Sequence, residues 1–366
     1  MRNLPFGPSL DGLKRAAAPQ LPYRPCDPKS YRLSIGLIAC GGITLQHLTA
    51  YKRAGYRVVA LCDLIKSRAL ERKKAFYPRA EVYTDYRDVL KRSDIEVVDI
   101  ATHPEVRAEI IKDALNAGKH VLSQKPFVVD LDVGERLADF ADRRKLKLAV
   151  NQNGRWAPHF SYMRHVVQAG LLGEVFASHL AVHWDHAWTA GTVFDRIKHL
   201  ILYDFGIHWF DITRCFLPGK TARRVHASMS FAPKQVSKPP LLAQALIEFD
   251  DAQASLVFDG AVKRGRLDTS YIASTRGSIL SAGPDLARQN VILCTEKTYA
   301  RPRLQGSWFP DGMHGTMAEL LCAIEEEREP THNARDNLKS LALCFAACQS
   351  AETSRPVAPG KVRRLL

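Results

Sequence analysis

Two carboxylates and one imidazole stand at helical spacing in the segment ILYDFGIHWFDI, residues 201–212. On an ideal helix Asp204, His208 and Asp211 fall within about 60° of one another, because successive residues are separated by about 100°. The remaining residues are mostly apolar, so the predicted helix is largely buried and its polar side chains need partners or a cavity. Gly206 in its interior costs about 1 kcal/mol relative to alanine, which indicates a close approach by another group. The stripe is typical of a reactive site, and a salt-bridged structural cluster is the alternative.

A glycine turn, ACGGIT, follows the first apolar strand and precedes a helix. Gly41 stands where backbone can approach a pyrophosphate, and the helix N-terminus behind it offers unpaired N–H groups to an anion. Ala39 and Thr44 replace the first and third glycines of the usual G-x-G-x-x-G pattern. Because alanine makes such a turn readily only with a negative φ angle, we expect a negative φ at Ala39 and a turn that still functions.

Asp63 strengthens the prediction of a dinucleotide site. It lies about 22 residues after Gly41, at the end of the next predicted strand, where a carboxylate can accept hydrogen bonds from ribose hydroxyls. The same carboxylate repels a 2′-phosphate, so we expect NAD as the cofactor. Lys66 and Arg68 follow closely and leave NADP possible, and helix capping is the alternative role of the aspartate.

The elements that must position these residues alternate between strand and helix over residues 31–150. Near-continuous apolar strands separated by helices predict a parallel sheet covered on both faces, a doubly wound Rossmann domain of the α/β class. Ligands of such sheets bind beyond the carboxyl ends of the strands. The residues predicted to bind the cofactor at these ends are Ala39, Cys40, Gly41, Gly42, Ile43, Asp63, Thr102, His103, Pro104, Gln124 and Lys125, with Asn153 after the last strand.

The pattern changes over residues 151–366. Consecutive strand-like runs with short turns predict an α+β domain with a large, mostly antiparallel open sheet, closed by helices from about residue 314 to 353. We expect this domain to bind substrate and to mediate oligomerisation. Residues 1–30 are rich in proline and aperiodic, and we predict an arm that lies on the surface or on a neighbouring subunit.

Composition excludes several classes of protein. The 366 residues carry a net charge of +14, but the basic residues are scattered in twos and threes, which argues for attraction of an anionic ligand rather than nucleic acid. No apolar run is long enough for a membrane span or a signal peptide. The 8 cysteines include no C-x-x-C pair and read as buried apolar side chains. We therefore expect a cytoplasmic enzyme.

The segment HWDHAW, residues 183–188, raises the question of a metal site. A divalent metal needs three or four converging ligands, which this local spacing does not guarantee. Polar contacts to substrate or an ordinary surface position are the favoured interpretations, and no metal is predicted.

Several segments together resemble the glucose-fructose oxidoreductase, inositol dehydrogenase and rhizopine-catabolism (Gfo/Idh/MocA) family, from about residue 32 to the end. IGLIACGGIT resembles its nucleotide turn, LCD its ribose-binding aspartate, and SQKP its E-K-P signature with Gln124 in place of glutamate. NGRWAP resembles an N-x-R-x-x-P stretch, and DFGIH a D-x-G-x-H helix. TRGSI and SAETSRPV resemble later family segments.

The resemblance implies an NAD(P)-dependent oxidoreductase that acts on a sugar, an inositol or a related polyol. It further implies that Lys125, Asp204 and His208 are catalytic, and that the open sheet face makes a dimer or tetramer. Gln124 cannot supply the negative charge of the usual glutamate, although its amide can still form hydrogen bonds. Ala39 departs from the family's glycine and weakens the expected cofactor affinity.

These residues suit the oxidation of a secondary alcohol. His208 can accept the hydroxyl proton near neutral pH, Asp204 can orient the imidazole or bind a substrate hydroxyl, and Lys125 can stabilise a developing alkoxide. The further candidates for substrate binding are Arg155, Trp156, Trp188, Arg196 and Asp211.

Two alternative functions stay open. The first is a glycosidase or epimerase of the same family that recycles a tightly held NAD, which would consume sugar without net change in nicotinamide absorbance. The second is a non-catalytic NAD-binding sensor, which the departures at Gln124 and Ala39 suggest and the retained catalytic residues oppose.

Overall fold

The computed structural model describes residues 7–30 and 32–365, and their strands assemble into two sheets. The predicted alternation of strands and helices is present in the first half. The elements up to residue 150 are, in chain order, β1 (Lys14–Arg15), β2 (Ser34–Ile38), α1 (Thr44–Ala54), β3 (Arg57–Cys62), α2 (Lys66–Ala75), β4 (Glu81–Tyr83), α3 (Tyr86–Leu90), β5 (Val97–Ile100), α4 (Pro104–Asn116), β6 (His120–Ser123), α5 (Leu131–Arg143) and β7 (Leu148–Val150).

Six of these strands form a parallel sheet in the order β4-β3-β2-β5-β6-β7. All residues of β2 and β5 are buried because helices cover both faces of the sheet. The strand order reverses between β2 and β5, and in open sheets of this kind the ligand crevice lies outside the carboxyl ends at that point. The predicted Rossmann fold is confirmed.

The second half of the chain builds a larger sheet. Its elements are α6 (Pro158–Gln168), β8 (Val175–His183), α7 (Ile207–Phe216), β9 (Arg224–Ser230), β10 (Leu242–Glu248), β11 (Gln253–Asp259), β12 (Leu267–Ser274), β13 (Gly277–Asp285), β14 (Arg288–Thr295), β15 (Thr298–Ala300), α8 (Trp308–Glu325) and α9 (Ala334–Thr353). Among the described residues, 9 strands pair in the order β1-β15-β14-β13-β12-β8-β11-β10-β9. The β8–β11 and β1–β15 pairs are parallel and the others antiparallel.

The large sheet has one covered and one open face. In β12 buried residues alternate with half-exposed ones, as expected when one face packs on helices. The prediction of a mostly antiparallel open sheet is confirmed. Strand β13, GSILSAGPD, consists mostly of small and polar residues and shows little apolar alternation in the sequence.

The predicted helices at the end of the chain are α8 and α9, and they connect both sheets. Met313, Met317 and Leu320 of α8 share a core with Ile35 and Leu37 of the parallel sheet. Helix α9 packs against α5, α7 and β9. None of the helices within the described ranges is long and apolar enough to cross a lipid bilayer.

The described part of the N-terminal arm lies on its own chain. Strand β1 pairs in parallel with β15, and Tyr162 donates a hydrogen bond to the Pro19 carbonyl at 3.1 Å. The Glu325 carboxylate accepts from the backbone N–H groups of Lys29 and Ser30, both at 2.7 Å. Of the two predicted positions for the arm, residues 7–30 take the surface position; residues 1–6 lie outside the described residues.

Candidate active site

The stripe of Asp204, His208 and Asp211 is divided between two kinds of helix. Residues Leu200–Phe205 form a π-helical turn, and α7 begins only after Gly206. The wider π turn rotates the side chains before the junction relative to those after it. The prediction of one regular helix over this segment is therefore wrong. A Cβ at Gly206 would lie 2.7 Å from a carbonyl oxygen of the π turn, so the close approach that the sequence indicates is made by the turn itself.

Lys125 lies directly against this junction. It follows β6, and its Nζ is 2.8 Å from the backbone oxygen of Asp204 and 3.4 Å from the carboxylate Oδ2 of the same residue. The two side chains are 17% and 11% exposed, so the pair is enclosed but still reachable. The ammonium also lies 5.9 Å from the centre of the Phe205 ring. Lysine and aspartate are thus brought together as the resemblance implies.

His208 is held by a residue that the sequence analysis missed. Its Nδ1 lies 3.0 Å from Oε1 of Gln152; with the amide in this orientation its oxygen accepts, so Nδ1 carries the ring proton and Nε2 has the lone pair. Burial and, second, the Lys125 ammonium lower the pKa of His208 well below its ordinary value. The imidazole is therefore neutral near pH 7. The expected orienting role of Asp204 falls instead to Gln152, whose position just after β7, at the ligand edge of the sheet, was the available signal.

Asp211 and Arg155 form hydrogen bonds with each other inside the protein. Arg155 Nε and Nη2 donate to the two carboxylate oxygens of Asp211, each at 2.6 Å, and Ser340 Oγ donates to Oδ1 at 2.7 Å. Arg155 Nη2 also donates to Asp336 of α9 at 2.5 Å. The arginine is 4% exposed and the aspartate 1%. Their positions favour a structural clamp between α7 and α9 in place of the predicted contact with substrate.

Asn153 and Trp156 are also enclosed. Asn153 accepts a hydrogen bond from Trp308 Nε1 at 2.5 Å and donates to Asn151 Oδ1 at 3.2 Å, which occupies both ends of its amide. Trp156 packs so closely on α8 that a Cβ at Gly315 would lie 2.1 Å from its ring. The two residues are 1% and 7% exposed, and the contacts of Asn153 with cofactor and of Trp156 with substrate stay predictions.

The glycine turn keeps its shape at the cost of strain in one residue. Ala39 has φ of 73°, so the expectation of a negative φ is wrong. This left-handed conformation costs a residue with a Cβ about 1–2 kcal/mol. A Cβ at Gly41 or Gly42 would meet nothing within 4 Å, so the turn presents bare backbone to open space. Thr44 Oγ1 donates to the Gly41 carbonyl at 2.6 Å and replaces the third glycine with a side chain that closes the turn.

Asp63 joins the glycine turn to the next loop. Its Oδ2 accepts from Cys40 N and its Oδ1 from Ile65 N, both at 2.8 Å. Each carboxylate oxygen keeps a second lone pair for a ribose hydroxyl. Cys40 is buried and offers only its backbone, whereas Ile43 is 38% exposed beside the turn. Open backbone for a diphosphate and a carboxylate for a ribose are the features that bound NAD requires, so these residues fit it.

One arginine ties together the two other strand-end loops. Arg107 of α4 is 1% exposed, and its guanidinium donates to the backbone carbonyls of Thr102, Gln124 and Pro126. Burial lowers the pKa of Arg107 to about 10. Pro104 begins α4, directly after His103. The predicted residues at these strand ends therefore belong to one rim, and the arginine that fixes them was not predicted.

An aromatic wall stands beside the lysine. Trp188 is 54% exposed, and its ring centre lies 5.4 Å from that of Phe194 and 6.2 Å from that of Phe205. Phe194 also lies 6.4 Å from the ring of His103, which belongs to the cofactor rim. Arg196 is exposed at the end of the short 3₁₀ helix that carries Phe194. Trp188 is therefore exposed beside Phe205 and the lysine, and the substrate contacts of Trp188 and Arg196 stay predictions.

The HWDHAW side chains diverge. His183 Nδ1 lies 2.7 Å from Asp259 Oδ2, and Asp185 accepts from the backbone of Ala187 at 2.9 Å. The His186 ring is stacked at 5.6 Å from that of Trp184. In residues 7–30 and 32–365 there is no group of three or more side chains that could hold a metal ion.

Two family models match this chain. Residues 33–152 match the model described as an oxidoreductase family with an NAD-binding Rossmann fold, and residues 160–280 match the GFO/IDH/MocA C-terminal domain. The first match covers the parallel sheet, and the second covers strands of the larger sheet. NAD binding is therefore the property of the domain that carries the glycine turn.

Individual proteins are similar along much of the chain. D-apiose dehydrogenase of Paraburkholderia graminis is 27% identical over 357 residues, which cover 89% of each chain. Inositol 2-dehydrogenase of Salmonella typhimurium is 28% identical over 188 residues, 50% of this chain and 54% of that protein. The crystal structure of an oxidoreductase from Agrobacterium radiobacter with NAD+, L-tartaric acid and magnesium has a TM-score of 0.78 at 22% identity, covering 90% of this chain and 99% of that one. At 22% identity, the similarity to this crystal structure shows a shared fold alone.

Proposed function

The chain belongs to the Gfo/Idh/MocA oxidoreductase family, and we propose that it is an NAD-dependent dehydrogenase acting on a secondary alcohol of a sugar, an inositol or a related polyol. The names of the relatives D-apiose dehydrogenase and inositol 2-dehydrogenase support this substrate class. The carboxylate of Asp63 at the predicted ribose position supports NAD over NADP.

The observation that carries the proposal is the contact between Lys125 and Asp204 at the ligand edge of the NAD-binding sheet, with His208 within electrostatic reach of the lysine. Lys125 comes from the end of β6 and contacts Asp204, and its charge acts on His208 across the junction. An ammonium and a neutral imidazole at one crevice are the groups that an alcohol oxidation needs.

In the proposed reaction Lys125 donates a hydrogen bond to the reacting oxygen, and His208 takes the hydroxyl proton on Nε2. NAD+, which the glycine turn and Asp63 would hold, would supply the hydride acceptor that turns the alcohol into a carbonyl. Gln152 holds His208 through Nδ1, and Asp204 holds the ammonium in place. A lowered pKa makes the imidazole a weaker base, and the lysine compensates because it stabilises the charge that develops on oxygen.

The test is nicotinamide absorbance with a panel of sugars, inositols and sugar acids, run in both directions with NAD and with NADP. We expect reduction of NAD by at least one sugar or polyol, and weaker activity with NADP. Sugar consumption without change in absorbance would instead indicate cofactor recycling. A folded protein that binds NAD but converts no member of the panel by either measurement would contradict the enzyme proposal.

We further propose a homodimer or homotetramer that forms through the open face of the large sheet. Leu246 of β10 and Leu267 of β12 are 58% and 42% exposed there, and burial of such side chains favours association. Light scattering on the full chain is expected to give the mass of two or four chains, and Leu246→Glu to lower it. A monomeric parent protein would contradict this proposal.

A further inference from the structure

A chain of buried polar groups leads from the core of the parallel sheet to the peptide nitrogen of Lys125. His47 of α1 and Asp99 of β5 are both 0% exposed, and His47 Nδ1 lies 2.7 Å from Asp99 Oδ2. Tyr51 donates to the same carboxylate oxygen at 2.7 Å. On the other side of the imidazole, Nε2 lies 3.0 Å from Nε2 of Gln124, whose Oε1 accepts from Lys125 N at 2.7 Å. Neither His47 nor Asp99 belongs to the site described above.

The backbone of Lys125 fixes the direction of every hydrogen bond in this chain. A peptide N–H only donates, so the Gln124 amide must present its oxygen to Lys125 and its nitrogen to His47. His47 Nε2 must then accept, which leaves the ring proton on Nδ1. That proton is donated to Asp99. The imidazole is therefore neutral, and one tautomer alone satisfies both of its neighbours.

Asn151 leads independently to the same tautomer. Its Oδ1 accepts from Thr316 Oγ1 at 3.1 Å and from Asn153 Nδ2 at 3.2 Å, which fixes the orientation of its amide. Its Nδ2 consequently faces His47 Nε2, at 3.4 Å. Two amide nitrogens from different strand ends thus point at one ring nitrogen, and a proton on that nitrogen would face donors only.

We propose that His47 is a positioning residue that, as a neutral imidazole protonated on Nδ1, couples the buried carboxylate of Asp99 through Gln124 to the peptide of Lys125. We call Asp99, His47 and Gln124 the relay. Its negative charge resides on Asp99 in the core, and Gln124, which precedes the lysine, is uncharged. The amide at position 124 is then a requirement of His47, because a carboxylate there would present only acceptors to a ring nitrogen that has no proton.

The surroundings of His47 offer few other sources of charge. The groups that face the relay are the Asp99 carboxylate, the Tyr51 phenol, the amides of Gln124 and Asn151, the Met313 sulfur and Thr316 hydroxyl of α8, and Arg107 of α4 within electrostatic reach of Asp99. Few other charged groups near His47 would mask the effect of a substitution at position 124 on the protons that His47 carries.

The first test needs no substrate. The full chain labelled with ¹⁵N-histidine is observed by NMR, and the His47 signals are assigned by their loss in His47→Gln or by their movement in Gln124→Glu. We expect one protonated nitrogen, Nδ1, and one unprotonated nitrogen, Nε2, as the hydrogen-bond partners of the ring require. An imidazolium or an Nε2-protonated ring in the parent protein would overturn the relay.

The second test exchanges the residue between His47 and Lys125. In Gln124→Glu a carboxylate faces each ring nitrogen of His47, and we expect both nitrogens to carry a proton in the NMR spectrum. In Gln124→Met, which has a similar length and neither hydrogen-bonding end, we expect kcat to fall about 10- to 100-fold, because the lysine is less well positioned.

The two proposals fail in different ways. The part of the relay that concerns turnover rests on the proposed dehydrogenase function, whereas the tautomer of His47 does not. The expected NMR spectrum together with no sugar oxidation would contradict the function and leave the relay standing. Sugar oxidation together with an unchanged kcat in Gln124→Met would overturn the positioning role and leave the function standing.

Discussion

Asp204 and Asp211 lie about two helical turns apart and have opposite environments. Asp204 sits in a π-helical turn, contacts a single ammonium and is reachable together with it. Asp211 sits in the regular helix α7, where an arginine and a serine saturate its carboxylate away from solvent. The first aspartate leaves its partner available to a ligand, whereas the second does not.

The difference shows that a short π-helical turn can give two aspartates of one segment different roles, one reactive and one structural. If residues 200–216 were one regular helix, both carboxylates would face the same side. The π turn instead directs Asp204 towards β6, and α7 directs Asp211 towards α9. We therefore expect substitutions near the first aspartate to change rates and substitutions near the second to change stability.

The largest expected effect is at the lysine. Lys125→Met should lower kcat/KM by about 1000-fold or more, because the stabilisation of the developing alkoxide is lost. The variant should still bind NAD, as measured by fluorescence, and its thermal midpoint should stay close to that of the parent protein. Equal turnover in variant and parent would remove the proposed role of the lysine and with it the contrast between the two regions.

The complementary substitution is Asp211→Asn. It leaves the buried guanidinium of Arg155 with an incomplete set of partners, and we expect the free energy of unfolding to fall by about 3–5 kcal/mol. Denaturant unfolding measures this, and kcat of the folded protein should change by less than about 3-fold. Ser340→Ala is the matched control, because it removes one hydrogen bond of the same carboxylate and should cost about 1 kcal/mol. A large loss of kcat with unchanged stability in Asp211→Asn would place this residue in the reactive region after all.

A pH profile sharpens the comparison at His208. Burial and the lysine hold its pKa below the ordinary value of about 6.5, so sugar oxidation should lose activity only on the acid side of that pH. Gln152→Glu places a carboxylate at Nδ1, which favours the imidazolium and should move this loss to higher pH. Gln152→Leu should lower kcat about 10- to 100-fold, since the ring orientation is no longer fixed. An identical acid limb in Gln152→Glu and the parent would show that another group titrates.

The smallest expected effect lies in the glycine turn, outside both regions. Ala39→Gly removes the strain of a positive φ, and we expect a gain of about 1 kcal/mol, measured as stability or as up to about 5-fold tighter NAD binding. The gain should appear without any change in kcat. Weaker NAD binding in the variant would contradict the proposed strain.

Periodicity and strand-end residues were sufficient to predict the Rossmann sheet, because each buried strand is a short apolar run followed by polar residues at one edge. The same signals predicted that Asp63 and Lys125 lie at one rim, whereas Asp204 was predicted from its helical spacing and from the family resemblance. Long-range partners could not be read in this way. Arg155 and Asp211 are each plausible ligands for a sugar until their mutual contact, made between distant segments, is known.

The missed residues have a common physical reason. Arg107 acts through hydrogen bonds to backbone carbonyls, and Gln152 and His47 act through hydrogen bonds to the side chains of His208 and Gln124. Contacts of this kind join distant segments and produce no periodic pattern in the sequence. Asp99 was the readable exception, since a carboxylate inside the apolar run EVVDIAT requires a buried partner. The positive φ of Ala39 could not be predicted either, because the path of the turn depends on the strand pairing around it.

The guanidinium of Arg107 recognises main-chain oxygens on both loops of the rim. Main-chain oxygens are present whatever side chains the loops carry, so the fastening between α4 and the two strand ends is indifferent to most substitutions there. Side chains that face the ligand can therefore be exchanged, by drift or by an engineer seeking a different alcohol, while the frame beneath them keeps its shape.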